Sequence, residues 1–179
     1  DTARMATGLK RVYALKELEP YGRPEVVPAL SALADSGDVE TRRAFSRVLS
    51  RVQNVKAVPL LRRLAGDRDP EVRRGGVYGL AAMGIPATEL YLQNLGGTDP
   101  EARRFAALGL RVSPDSAAAP ALAAALGKPD SLVRYEAVLA LGAIPGSEPV
   151  NPLVAALKDG VSFVRRAALA TALGGLGRL

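Results

Sequence analysis

Apolar and polar residues along this chain form a pattern that repeats five times. Aligning on Arg42, Arg73, Arg103, Arg134 and Arg165 gives intervals of 31, 30, 31 and 31 residues. One position before these arginines stand Thr41, Val72, Ala102, Val133 and Val164. Three after come Phe45, Gly76, Ala106, Ala137 and Ala168, and seven after come Leu49, Leu80, Leu110, Leu141 and Ala172. Offsets of −1, +3 and +7 fall on one face of a helix with 3.6 residues per turn, so each arginine opens an amphipathic helix. Another helix precedes each one. It is marked by VPAL at 27–30, VPLL at 58–61, APAL at 119–122 and NPLV at 151–154, each followed by a leucine (Leu33, Leu64, Leu126, Leu157). The third unit departs, reading TELYLQNL from Thr88 without the proline. Proline is tolerated in a first helical turn, where its missing N–H is not needed. No segment alternates with the period of a strand, so the pattern predicts an all-α chain of about eleven helices, each of roughly 10 to 15 residues.

The turns carry their own signal. DPEVRR at 69–74 returns as DPEARR at 99–104. Asp38, Asp69, Asp99 and Asp130 each lie four residues before the aligned arginine, where a helix N-cap belongs. An aspartate there accepts hydrogen bonds from otherwise unpaired N–H groups and suits the positive end of the helix dipole, and capping is worth about 1 kcal/mol. The fifth unit has Val161 at that place, which makes Ser162 the expected cap.

Helix pairs reading D-P-x-V-R-x-x-A-x-x-x-L resemble HEAT repeats, specifically the short class named after phycobilisome lyases. The resemblance covers nearly the whole chain as a single array over 1–179. It comprises a half repeat at 1–22 and repeats at about 23–53, 54–84, 85–114, 115–145 and 146–179. It implies a right-handed α-solenoid in which the second helices line a concave surface. It also implies that aspartates and aligned arginines bridge adjacent repeats. On that implication Asp38, Arg42, Asp69, Arg73, Asp99, Arg103, Asp130, Arg134 and Arg165 are structural joints.

The positions pointing furthest from the −1, +3, +7 face are +1 and +5. Position +1 holds Arg43, Arg74, Arg104, Tyr135 and Arg166, and position +5 holds Arg47, Tyr78, Leu108, Leu139 and Ala170. Folding does not obviously need four arginines in such a row. The alternatives are a solvated helix face or a binding stripe on the concave side, formed by Arg43, Arg47, Arg74, Tyr78, Arg104, Leu108, Tyr135, Leu139 and Arg166. That stripe is basic at first and turns apolar after Leu108.

Composition narrows the chemistry. Hydrophobic residues make up 48% and charged residues 23%, a folding composition rather than a disordered one. There is no Cys and no His, which removes disulfides, Cys or His zinc sites, imidazole bases and Ser-His or Cys-His nucleophiles from this chain. The acid pairs Asp69/Glu71 and Asp99/Glu101 sit at helix starts and read as structural. GGLG at 174–177 follows no strand and does not read as a phosphate loop. No stretch reaches the roughly 18 apolar residues of a membrane span, and no signal peptide opens the chain. A soluble, cytoplasmic setting is the expectation, although no residue names a compartment.

Three classes of function follow from this. A protein-interaction scaffold would hold an acidic or amphipathic segment along the stripe, because Arg and Tyr are the residue types that anchor interfaces. A nucleic-acid-binding solenoid is the alternative, given a net charge of +6, a pI of about 10 and 19 arginines against 5 lysines. Aromatics at 4%, with no Trp, are too sparse for base stacking. The third class is enzymatic. The resemblance extends to bilin lyase subunits, DNA glycosylases and a metal-dependent hydroxylase, but no catalytic residue can be matched to any of them. The expectation is a non-catalytic adaptor with neither cofactor nor metal. The chain begins at Asp1, and Arg11, Ala14 and Leu18 fall in register with a second helix. The adaptor is therefore expected to be part of a longer chain or complex.

Overall fold

A computed structural model describes residues 31–36, 38–145 and 150–176. The half repeat at 1–22 and the VPAL segment of the first repeat lie outside the described residues. The described part contains α-helices and short 3-10 turns and no strand, which is the α-solenoid class of fold. Two compact units divide the chain at Ile85 and Pro86, between the second and third repeats.

In the first unit a 3-10 turn, Ser31–Asp35, precedes α1 (Val39–Leu49), which is followed by α2 (Val58–Ala65) and α3 (Pro70–Ala82). In the second unit α4 (Thr88–Leu95) pairs with α5 (Pro100–Val112), α6 (Ala119–Ala125) with α7 (Ser131–Ala143), and α8 (Val150–Ala156) with α9 (Ser162–Leu176). The second helices run 11 to 15 residues. The first helices are shorter than expected, at 7 or 8 residues. In repeats 2 and 4 their opening turn is a separate 3-10 turn, Val55–Ala57 or Ser116–Ala118. The prolines Pro59 and Pro120 then stand in the first turn of the α-helix proper, at no hydrogen-bond cost.

Each predicted cap forms where the aspartate is present. The carboxylate of Asp38 accepts the Glu40 and Thr41 N–H groups, and Asp69 accepts those of Glu71 and Val72. Asp99 accepts Glu101 and Ala102, and Asp130 accepts Leu132 and Val133. In the fifth repeat α9 begins at Ser162 itself, so that residue lies inside the helix rather than before it. At the far end of α3, Gly84 adopts φ +64° and closes a Schellman motif, with Ile85 N–H bonded to Leu80 O and Gly84 N–H to Ala81 O. Glycine fits there because it has no Cβ to oppose the left-handed conformation.

The −1, +3 and +7 face is buried along the second helices, with only Ala172 half-buried. A further row, four after each aligned arginine, is also buried at Ser46, Val77, Ala107 and Val138. The second helices thus bury a broader face than their own partner helix alone would cover. In the last repeat Val138 of α7 joins Leu153, Ala156, Val164, Ala167 and Ala168 in one core, so a +4 residue packs on the following repeat. Close packing demands small residues at defined points. A Cβ on Gly76 would lie 2.3 Å from the backbone N of Ala65, and one on Gly109 would lie 2.4 Å from the ring of Tyr91.

Candidate functional site

The five aligned arginines share one local role. Each donates an Nη1–H to the carbonyl six residues back: Arg42 to Ser36 (2.8 Å), Arg73 to Asp67 (2.8 Å), Arg103 to Gly97 (2.8 Å), Arg134 to Lys128 (2.9 Å) and Arg165 to Asp159 (2.7 Å). This bond ties the turn between the two helices of a pair to the second helix. Among the described residues the other edge of the guanidinium bridges repeats at Arg42 and Arg134. Arg42 binds Asp67 through Nε (2.9 Å) and Nη2 (3.3 Å), and Arg134 binds Asp159 through Nε (2.6 Å) and Nη2 (3.0 Å). Those acceptors are not the capping aspartates. They stand 25 residues after the arginine, two before the cap position, and the sequence reading did not name them. The shared +25 offset of Asp67 and Asp159 was the signal available. Arg73, Arg103 and Arg165 are thus turn clamps first. Arg103 is buried, and among the described residues its Nε finds no acceptor.

The stripe residues are less open than the sequence suggests. Arg43 donates to both carboxylate oxygens of Asp69 (3.1 and 2.7 Å) and to Glu40 (2.8 Å), and its Nε lies 3.5 Å from Glu71. Arg47 pairs with Glu71 at 2.7 Å. The bond from Arg43 holds the Asp69 carboxyl below the usual carboxylate range, and the carboxylate in turn raises the Arg43 guanidinium. Tyr135, at the same +1 position, meets Phe163 edge to face, with centroids 5.6 Å apart. A +1 residue therefore touches the residue at −2 of the next repeat, by charge in one unit and by aromatic contact in the other. The sequence missed this pairing, although Glu71 and Phe163 stand at −2 for all to see. Arg104 lies over the Phe105 ring at 5.5 Å, Tyr78 is partly exposed, and Arg166 is exposed. Arg74 and Leu108 are half-buried.

The second unit brings Leu139 and Ala170 together. With Arg111, Gly142, Ala143, Thr171 and Gly174 they line an open groove of about 540 Å³ across the second helices. Gly142 permits the close approach of Thr171, whose Cγ2 would stand 2.1 Å from a Cβ at that position. At the rim, Arg111 Nε donates to buried Glu136 at 3.1 Å, which fixes the guanidinium against the groove. Elsewhere in this unit Thr88 donates to Asp115 (2.7 Å), lowering that carboxyl, and Arg134 likewise lowers Asp159. Among the described residues no cluster has metal-ligand character, and no helix is long and apolar enough to cross a membrane.

Several solved structures share this fold. The crystal structure of an engineered protein aligns with a TM-score of 0.75 at 20% identity, covering 96% of this chain and 92% of that one. A designed armadillo repeat protein in complex with the peptide (KR)4 gives a TM-score of 0.73 at 14% identity, covering 92% and 96%. The complex of CpcE and CpcF of phycocyanin lyase from Nostoc sp. PCC7120 gives 0.65 at 24% identity, covering 90% and 69%. A search of curated proteins finds no match. These likenesses show a helical-repeat fold, and a fold by itself does not fix a function. A family model of HEAT repeats matches residues 7–81 and 88–174, and the chain therefore belongs to the HEAT-repeat family.

Proposed function

We propose that this chain is a non-catalytic scaffold that holds an amphipathic protein segment bearing acidic side chains along the face of its second helices. The groove lined by Leu139, Ala170 and Arg111 carries the reading. Its floor is apolar and small-residue-rich, which suits the non-polar side of a helix or extended segment. Its rim arginine is oriented by Glu136 through Nε, and a guanidinium so placed suits a carboxylate on the partner. The net charge of +6 attracts the same class of partner. The designed armadillo neighbour was solved with a basic peptide, and the arginine rim here suits the opposite charge.

A nucleic-acid track fits less well. Arg43 and Arg47, the basic start of the stripe, are neutralised by Asp69, Glu40 and Glu71. Fluorescence anisotropy with a labelled helical peptide of leucine and glutamate heptads tests the reading directly. Binding should weaken at least tenfold in Ala170→Arg, which fills the groove, and in Arg111→Glu, while duplex DNA should bind neither tightly nor with a steep salt dependence. Peptide affinity unchanged in both variants would refute the proposal.

A further inference from the structure

We propose that the joint between the third and fourth repeats binds a small free oxyanion, held between the Arg103 guanidinium and Lys128. Among the described residues Arg103 carries the one buried side-chain polar atom without a hydrogen-bond partner, its Nε, and the residue is 8% exposed. A buried N–H on a charged group without an acceptor is costly, so it calls for an explanation. The sister joints supply one. Arg42 and Arg134 direct the same Nε at the carboxylate 25 residues on, Asp67 or Asp159, in a two-pronged contact with Nη2. Twenty-five residues after Arg103 stands Lys128.

The register therefore sets a second cation where the other joints set an anion. Arg103 stays anchored on its inner side, with Nη1 on Gly97 O at 2.8 Å, so the Nε edge keeps the orientation that meets a carboxylate elsewhere. An oxyanion with two oxygens about as far apart as those of a carboxylate can reproduce the missing fork. The Lys128 ammonium then adds a second charge to it rather than opposing Arg103. A carboxylic acid anion or a phosphate has this chemistry. The site lies apart from the apolar groove and stands independently of the scaffold reading.

Thermal unfolding of the full chain tests it, at constant ionic strength, with sodium chloride exchanged stepwise for sodium acetate or sodium phosphate. The wild type should show a saturable rise in Tm, about 3 °C at a tenfold excess over the dissociation constant. Lys128→Asp should melt higher than the wild type without either oxyanion and should lose the response, because its carboxylate would serve Arg103 directly. It would also accept the backbone N–H two residues on, as Asp67 and Asp159 do. Lys128→Ala should keep the response in weaker form. The relative size of the acetate and phosphate responses identifies which oxyanion fits. No response in the wild type, an equal response in Lys128→Asp, or a linear rise shared by all three proteins, as general salt exclusion gives, would overturn the proposal.

Discussion

Arg134 and Asp159 form a two-pronged ion pair, with Nε to Oδ2 at 2.6 Å and Nη2 to Oδ1 at 3.0 Å, across the joint between the last two repeats. The same guanidinium bonds the carbonyls of Lys128 and Pro129 through Nη1. One side chain thus fixes the turn of its own repeat and the turn of the next. Little of either group is exposed, so solvent screens the pair weakly.

Arg134→Ala should destabilise the chain by about 2 kcal/mol, because Asp159 loses its charged partner and two carbonyls lose a donor. Arg165→Ala should cost clearly less. That guanidinium is exposed, and among the described residues its hydrogen bond is to a carbonyl. Urea unfolding of both variants checks the order. Equal losses would mean that the bridge to Asp159 contributes nothing.

Acid should loosen the joints selectively. The carboxyls of Asp69 and Asp159 are held below their ordinary value chiefly by Arg43 and Arg134, and those of Asp38 and Asp115 by Thr41 and Thr88. Their folded-state values lie below the unfolded value of about 4. Their contribution is therefore complete above that value and is lost as pH falls through the lower, folded one. Tm should hold from pH 7 to about 4 and then drop, and Asp159→Asn should flatten the drop while lowering the plateau. A profile identical to the wild type would remove Asp159 from this account.

Gly109→Ala should destabilise by about 1–3 kcal/mol, since the new methyl would meet the Tyr91 ring. Tyr91→Leu, which installs the residue found at the matching positions 61 and 122, should relieve the clash in the double variant. Gly76→Ala should be worse and should have no such rescue, because the obstacle there is the backbone of Leu61, Leu64 and Ala65. Additive losses in the Gly109–Tyr91 cycle would show that the two residues are not coupled.

Arginines of the stripe should separate into two classes. Arg43→Glu sets a carboxylate among Asp69, Glu40 and Glu71 and should lower Tm. Arg166→Glu alters an exposed position and should stay within about 0.5 kcal/mol of the wild type. Calorimetry of the two proteins distinguishes them, and a silent Arg43→Glu would return Arg43 to the solvated face.

The sequence by itself determined what is local. Caps at Asp38, Asp69, Asp99 and Asp130 need only the aspartate and the two or three N–H groups that follow it. The −1, +3 and +7 face needs only the helical period, and the family follows from five registered copies. Tertiary structure alone decided which residues meet across a joint. Arg42 and Asp67 are 25 residues apart, and packing of adjacent repeats slides the partner two positions off the cap that the sequence favoured. That same packing turned Arg43 and Tyr135 from an open stripe into contacts with Glu71 and Phe163. The groove at Leu139 and Ala170 likewise exists only once α5, α7 and α9 lie side by side. Helical periodicity records which face of an element is apolar. The offset between neighbouring elements is set by how their side chains interlock, which no single segment contains.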